Sequence, residues 1–493
     1  MQIPATGLDN DTLFNTLEGF RARDLTWRDG RTWAYVYDPG ADAEAVIKKA
    51  FSMYLSENGL DPTSFPSILR LENELIAMAS THLGGDAQTV GNFTSGGTES
   101  IICAVKAARD HARAHRPEIT RPEIILPETA HAAFQKAAHY LGVEVVVTAV
   151  DPQSFKADVE AMRAAITANT ILLVGSAVSF AHCVIDPIVE IAALAAEKGL
   201  LCHVDACMGG FLLPYYKRLG EPVPDFDLSV PGVTSISMDF HKYAFAAKGA
   251  SVILYKSKEL RRHQIYACSN WSGYTIVNSA VQSSKSAGPL AAAWAVLHHF
   301  GEEGYLDIAR GVCEGTKRLV DGIGAIPELS IMGVPEMNLF AFTSEGVDVF
   351  HVSDEMKVRG WFIQPQLSYG VSKENVHVSV NPACLQWVDD FLRDLALSVE
   401  AAKGLPTSPL VEVVRGIFGS MDLSQGIDPG VVKQMLELGG ISGGVLPERL
   451  AEVNQVLNAL PVPARELLLV EFMNDLFTPA HDQPARSGVV AAS

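Results

Sequence analysis

The chain has 493 residues, 48% hydrophobic and 19% charged, a globular composition that excludes a disordered or fibrous protein. Lys+Arg 38 against Asp+Glu 57 gives a formal charge of −19, a field that repels phosphate backbones and anionic lipid, so no nucleic-acid partner is expected. Seven cysteines spread from Cys103 to Cys384 form no disulfide framework and fit a reducing cytoplasm, and Met1 to Asp11 lacks the basic-then-apolar pattern of a signal peptide or membrane anchor.

Residues 1–90 mix helical pattern with loops. Within them Ser67 to Leu83 places Ile68, Leu71, Leu75, Ile76 and Met78 near a helical period. From about residue 91 to 310, short apolar runs alternate with helical stretches: Glu123 to Leu126, Glu144 to Val150, Thr170 to Val174, Leu200 to Val204, Ser235 to Met238 and Ser251 to Tyr255. Strands spaced this way build βαβ units and a mainly parallel α/β sheet, with the ligand beyond the carboxyl ends of the strands. A helical region, Leu290 to Leu319, is interrupted by Gly301 and Gly304. Leu329 to Phe342, Gly360 to Gln364 and Val376 to Val380 read as strands of a small α+β domain over 311–403. After Gly404 comes a helical extension with glycines at 439, 440, 443 and 444, an apolar helix near Ala464 to Phe477 and a loose tail from Pro479.

The chemistry-bearing residues sit next to these runs. Thr94-Ser95-Gly96-Gly97-Thr98-Glu99 opens a helix, where glycines admit close approach and free amides favour an anion; it reads as a phosphate cradle or a capped turn. Asp205 ends an apolar strand and needs a cationic or hydrogen-bonding partner, which a protonated ring nitrogen would supply. His241 and Lys242 follow another strand, and a Lys held in a low-dielectric cleft loses proton affinity and attacks carbonyls. His131 could stack on a planar ring or cap a helix. Cys202, His203, Asp205 and Cys207 are all metal-ligand types, but strand alternation puts Cys202 on the opposite face, and no metal is expected. Together the phosphate cradle, carboxylate, imidazole and Lys supply what pyridoxal 5′-phosphate requires.

The segments TSGGTES (Thr94 to Ser100), HVDACMGGF (His203 to Phe211), SISMDFHK (Ser235 to Lys242) with Ala247-Lys248-Gly249, and WAVLHHFGEEGY (Trp294 to Tyr305) resemble the sphingosine-1-phosphate lyases within the group II pyridoxal-phosphate decarboxylases. The resemblance runs from about residue 30 to about residue 397. It implies a fold-type I homodimer with a mainly parallel seven-stranded sheet in its large domain, shared active sites, and residues 1–90 at the dimer interface. It makes Lys242 the Schiff-base lysine, Asp205 the pyridine-nitrogen partner and His131 the stacking residue. Ser95, Gly96, Gly97, Thr98 and His241 would hold the cofactor phosphate, with Ser284 entering from a second subunit. Tyr37 and Lys248 match residues that contact the substrate phosphate in that family.

Three positions depart from the pattern: Tyr35 stands where the lyases have a small residue, Asp61 where they have His, and Ser283-Ser284-Lys285 where they have Gly-Ser-Arg. A carboxylate about 4 Å from a phosphate oxygen is repelled by around 4 kcal/mol at an effective dielectric of roughly 20, and Tyr35 would fill space a long phosphorylated chain needs. These departures favour a carbon-carbon lyase that decarboxylates an amino acid. The alternative is retro-aldol cleavage of a phosphorylated amino alcohol to an aldehyde and phosphoethanolamine. Asp61 pointing away and pairing with Lys248 or another cation would remove its objection to that alternative.

Overall fold

The computed structural model describes residues 2–419, 430 and 447–479; the glycines at 439, 440, 443 and 444 and the tail beyond 479 lie outside them. Helices α1 (Asn10–Phe20), α2 (Ala41–Met53) and α3 (Pro66–His82) precede the main sheet. That sheet is built from β1 (Val90–Thr94), β2 (Glu123–Pro127), β3 (Glu144–Thr148), β4 (Thr170–Ser176), β5 (Leu201–Asp205), β6 (Ser235–Asp239) and β7 (Ser251–Tyr255), in the order β1-β7-β6-β5-β4-β2-β3. Between these strands run α4 (Gly97–His115), α5 (Ala133–Leu141), α6 (Val159–Ala165), α7 (Ile188–Lys198) and α8 (Leu213–Arg218). Every position of β4, β6 and β7 is buried, because helices cover both faces.

The expected parallel sheet is present from β6 through β3, while β7 runs antiparallel to both β6 and β1. Two reversals leave β1 pointing the same way as β5 and β6, so Thr94, Asp205 and Asp239 end at one rim of the sheet. β1 carries Gly91 and Asn92 and has no apolar run; its pairing with β7 makes it a strand.

A short helix α9 (Lys258–Arg261) and a hairpin, β8 (Tyr266–Cys268) and β9 (Ile276–Asn278), lead to α10 (Gly288–Gly324). α10 departs from helical dihedrals only at Gly301 (φ 60°, ψ −176°); Gly304, read as a second interruption, stays helical. The smaller sheet orders β10 (Leu329–Ile331), β11 (Leu339–Ser344), β13 (Asn375–Ser379) and β12 (Gln364–Gln366), all antiparallel. The single run expected from Leu329 to Phe342 is therefore two strands, with a turn through Gly333 (φ 72°). α11 (Val349–Val358) and α12 (Val388–Ala402) cover this sheet. Its core includes Trp33, whose indole stacks on Phe391 at 4.4 Å and whose N–H and carbonyl bond Phe362 and Ser379, so a residue from the start of the chain is built into the second sheet. Beyond it α13 (Pro409–Gly419), α14 (Ala451–Ala459) and α15 (Val462–Leu476) share a small core of Val414, Phe418, Leu460, Ala464 and Leu468. Among the described residues no helix is long and apolar enough to cross a membrane.

Candidate active site

The carboxyl ends of β1, β5 and β6 enclose a cavity of about 330 Å³ lined by Ser95, Gly96, Gly97, Thr98, His131, Asp205, His241 and Lys242, together with Val178, Phe180, Cys207, Met208 and Asp239. Eight residues read from the sequence as cofactor-binding thus meet in one place. The volume is at the lower end for small-molecule sites.

Each side chain is set by its strand end. After Thr94, Gly96 takes φ 154°, which L side chains rarely adopt, and a Cβ on Gly97 would lie 2.8 Å from Cys207 Sγ and 2.9 Å from Asp239 Oδ2. The α4 start therefore reaches the sheet rim only because it lacks side chains there. Asp205 Oδ1 accepts the Cys207 N–H at 3.0 Å and the Ser237 hydroxyl at 3.4 Å. Both nitrogens of buried His203 face serine hydroxyls, Ser235 at 2.9 Å and Ser237 at 3.3 Å, and burial pulls its pKa down to about 4. His203 is a neutral prop beneath Asp205. His131 accepts the Ala133 N–H at Nδ1 (3.1 Å), which fixes the ring at the start of α5.

Lys242 Nζ lies 2.9 Å from Asp239 Oδ2, and His241 Nε2 lies 3.4 Å from the same oxygen while its Nδ1 accepts the Ala250 N–H. Burial disfavours the Lys242 charge, but Asp239 outweighs it and holds the ammonium above its usual pKa. The sequence-based expectation that burial lowers the proton affinity of Lys242 is thus corrected: a buried carboxylate three residues earlier, at the end of β6, reverses the sign.

Asp239 and Glu99 were missed as site residues although both lie inside quoted motifs. Glu99 is 7% exposed; its Oε2 accepts the Ser95 N–H at 2.6 Å and its Oε1 accepts the N–H groups of Val281 (2.8 Å) and Gln282 (3.1 Å). One carboxylate therefore ties the cradle to the loop that carries Ser284. The available signal was an acidic residue in the first turn of α4, which ordinarily reads as a response to the helix dipole.

The substrate residues divide. Tyr37 and Lys248 adjoin the cavity: the Tyr37 hydroxyl is 4.0 Å from Met208 Sδ, Lys248 Nζ is 4.5 Å from the Tyr37 ring centre and 3.4 Å from the His241 carbonyl. Lys248 is exposed to solvent at the rim yet crowded by protein and by the Lys242 charge, which draw it down to about 8, and burial raises Tyr37 to about 12. Tyr35, Asp61 and Ser284 do not line this cavity within one chain. Tyr35 sits at φ 62° with its ring 5.8 Å from Phe362. Asp61 accepts the Thr63 N–H (2.8 Å), the Thr63 hydroxyl (2.6 Å) and the Ser64 hydroxyl (2.9 Å), which hold its pKa at about 2. Its carboxylate is spent on its own turn, beside an adjoining cavity of about 990 Å³ that shares Ser95 and Glu99 with the first and that Lys285 and Glu72 also line. Lys285 Nζ reaches both Glu72 oxygens at 2.8 Å. Ser284 is exposed on the loop between β9 and α10.

Bound pyridoxal phosphate would supply an electrophilic carbonyl and a ring that draws electron density from a breaking bond. The residues fit it: a side-chain-free cradle for an anion, a carboxylate at the far strand end, an imidazole on one face and one primary amine lining the cavity.

The pyridoxal-dependent decarboxylase conserved domain matches residues 19–345, and a C-terminal domain of pyridoxal-dependent enzymes matches residues 410–475. The chain is 40% identical over 443 residues to sphingosine-1-phosphate lyase of Arabidopsis thaliana, covering 88% of this chain and 79% of that one. Its fold matches the structure of a Burkholderia pseudomallei sphingosine-1-phosphate lyase with a TM-score of 0.78 and 36% identity, over 82% of this chain and 93% of that one. Glutamate decarboxylase of Lactobacillus brevis shares the fold at a TM-score of 0.72 and 18% identity, over 83% and 96% of the two chains.

Proposed function

The chain belongs to the pyridoxal-dependent decarboxylase family, and from that premise we propose that this lyase cleaves a phosphorylated long-chain amino alcohol by a retro-aldol reaction, as a homodimer in which Ser284 of each chain completes the cofactor site of the other. The observation that carries the substrate reading is Lys248. It makes no ion pair among the described residues, stands over the Tyr37 ring and touches the backbone of His241 beside the cavity. An uncompensated ammonium there is a receptor for an anion.

Two of the three departures that favoured amino-acid decarboxylation lose their force. Asp61 is turned into its own loop, so it does not oppose a phosphate at Lys248. Lys285 is committed to Glu72. The similarity to the plant and bacterial lyases leans the same way. Amino-acid decarboxylation remains the second reading, favoured by Tyr35, which stands where the lyases have a small residue.

This chain's residues then have definite tasks. Lys242 would tether the cofactor carbonyl and Asp205 would keep the ring nitrogen protonated. Gly96, Gly97, Thr98 and His241 would hold the cofactor phosphate, and Lys248 with Tyr37 the phosphate of the substrate. When the bond between the amine-bearing carbon and the carbinol carbon breaks, an aldehyde leaves, and the proton given up by the hydroxyl is made good at the amine-bearing carbon, with Lys242 Nζ placed to carry it from one to the other.

Holoenzyme incubated with a sphingoid base 1-phosphate should release a long-chain aldehyde and phosphoethanolamine. Carbon dioxide evolved from an amino acid, with the phosphorylated amino alcohol left intact, would overturn the proposal in favour of the second reading.

A further inference from the structure

We propose that His115, Glu259 and His263 form a surface site for a divalent transition-metal ion of the zinc class, tying α9 to the C-terminal end of α4. His111 and His115 are four residues apart on α4 and so share a face, and Glu259 and His263 have the same spacing on α9 and the turn after it. One ligand atom from each of His115, Glu259 and His263 falls within 4.8 Å of the other two. A tetrahedral ion with bonds of about 2.0–2.1 Å would draw those atoms to about 3.3 Å of one another. His115 and Glu259 are exposed, so their side chains are free to make that movement.

The tautomers are already suited to ligation. His115 Nδ1 lies 2.9 Å from the His111 carbonyl, so it carries the proton and Nε2 keeps its lone pair. His263 Nε2 is buried without a hydrogen bond, on a side chain 12% exposed, and the nearest carboxylate oxygen, Glu259 Oε1, is 3.9 Å away. An unpartnered buried nitrogen aimed at a carboxylate lacks the cation that would satisfy both. The His111 ring packs on His115 at 4.2 Å and edge-on to His263 at 5.2 Å. The competitor for Glu259 is Arg262 at 3.4 Å, an exposed pair of small worth. Two imidazoles and a carboxylate with an open fourth position suit zinc, and also copper or nickel. The cluster lies about 26 Å along α4 from the phosphate cradle, so it is separate from the site around Lys242.

The test uses chelator-treated, dialysed holoenzyme titrated with zinc chloride by calorimetry, and with cobalt chloride by visible absorption. One saturable ion per chain is expected, with zinc raising the melting temperature. His115→Ala and His263→Ala should each weaken binding about tenfold or more and abolish the zinc-dependent rise, while their bound-cofactor absorbance shows that both variants are folded. Absence of saturable zinc binding, or affinity unchanged in both variants, would overturn the site.

Discussion

Two lysines are buried against carboxylates in this molecule, at nearly the same distance and to different ends. Lys285 meets Glu72 at 2.8 Å, and Glu72 also accepts the Phe93 N–H at 3.0 Å and the Asn92 side-chain amide at 3.1 Å. Lys285 and these hydrogen bonds outweigh burial and hold Glu72 below the usual carboxylate range. Lys242 meets Asp239 at 2.9 Å, but Asp239 is shared with His241 and Lys242 lines the cavity. Both lysines line a cavity, so the difference lies in the carboxylate: Glu72 adds two amide hydrogen bonds that fix its pair in place, whereas Asp239 is shared between Lys242 and His241, so Lys242 can exchange its partner.

The largest effect that sharpens this contrast falls on Lys242. Lys242→Ala should lower turnover by roughly 10⁴-fold and remove the absorbance band that borohydride shifts, with His241 left as the partner of Asp239. Wild-type turnover with that band intact would erase the distinction. Glu72→Gln should do the reverse, leaving the Lys285 charge buried without a counter-ion and lowering stability by about 3–5 kcal/mol in a urea titration. Adding Lys285→Met should recover part of that loss, and an unchanged midpoint in the single variant would break the comparison.

Glu99 stands between the two, being structural in its bonds yet placed at the cradle. Glu99→Gln points an amide N–H₂ at backbone N–H groups of Ser95 or of Val281 and Gln282, at a cost of about 1–3 kcal/mol. It should appear as weaker cofactor affinity and faster hydrogen exchange in the loop around Ser284; unaltered cofactor affinity would reduce Glu99 to a scaffold residue. The smallest effect is on pH dependence. Lys248 is protonated below a pKa of about 8 and neutral above it, so KM for a phosphorylated substrate should rise as pH climbs through that value, by roughly tenfold over the next unit. Lys248→Met should flatten the profile, and a flat wild-type profile would remove Lys248 from the phosphate site.

Much of the main sheet was legible because buried parallel strands are continuous apolar runs, and β4 and β5 fall where the runs fall. β1 was not, since its strand character comes from pairing with β7 rather than from Val90-Gly91-Asn92-Phe93-Thr94 itself. The direction of β7 was equally hidden: alternation and burial are the same whichever way a strand runs. In the site, the glycines, Asp205, His241 and Lys242 stand beside their strand ends in the chain, so short motifs located them. Asp61 was read as facing the substrate. Asp61-Pro62-Thr63-Ser64 is also the pattern of an Asx turn, and the local hydrogen bonds of that turn prevail.

The sequence by itself determined that a lysine and a carboxylate would end buried strands and that a glycine-hydroxyl cradle would open a helix, because strand periodicity and turn chemistry act over a few residues. Only the tertiary structure decided which carboxylate faces which cation. Glu72 and Lys285 are 213 positions apart, and Glu99 reaches Val281 and Gln282 across almost as many. Those meetings depend on how the loop before α10 folds back over α3 and the start of α4, and side-chain direction there is set by packing rather than by neighbours in the chain.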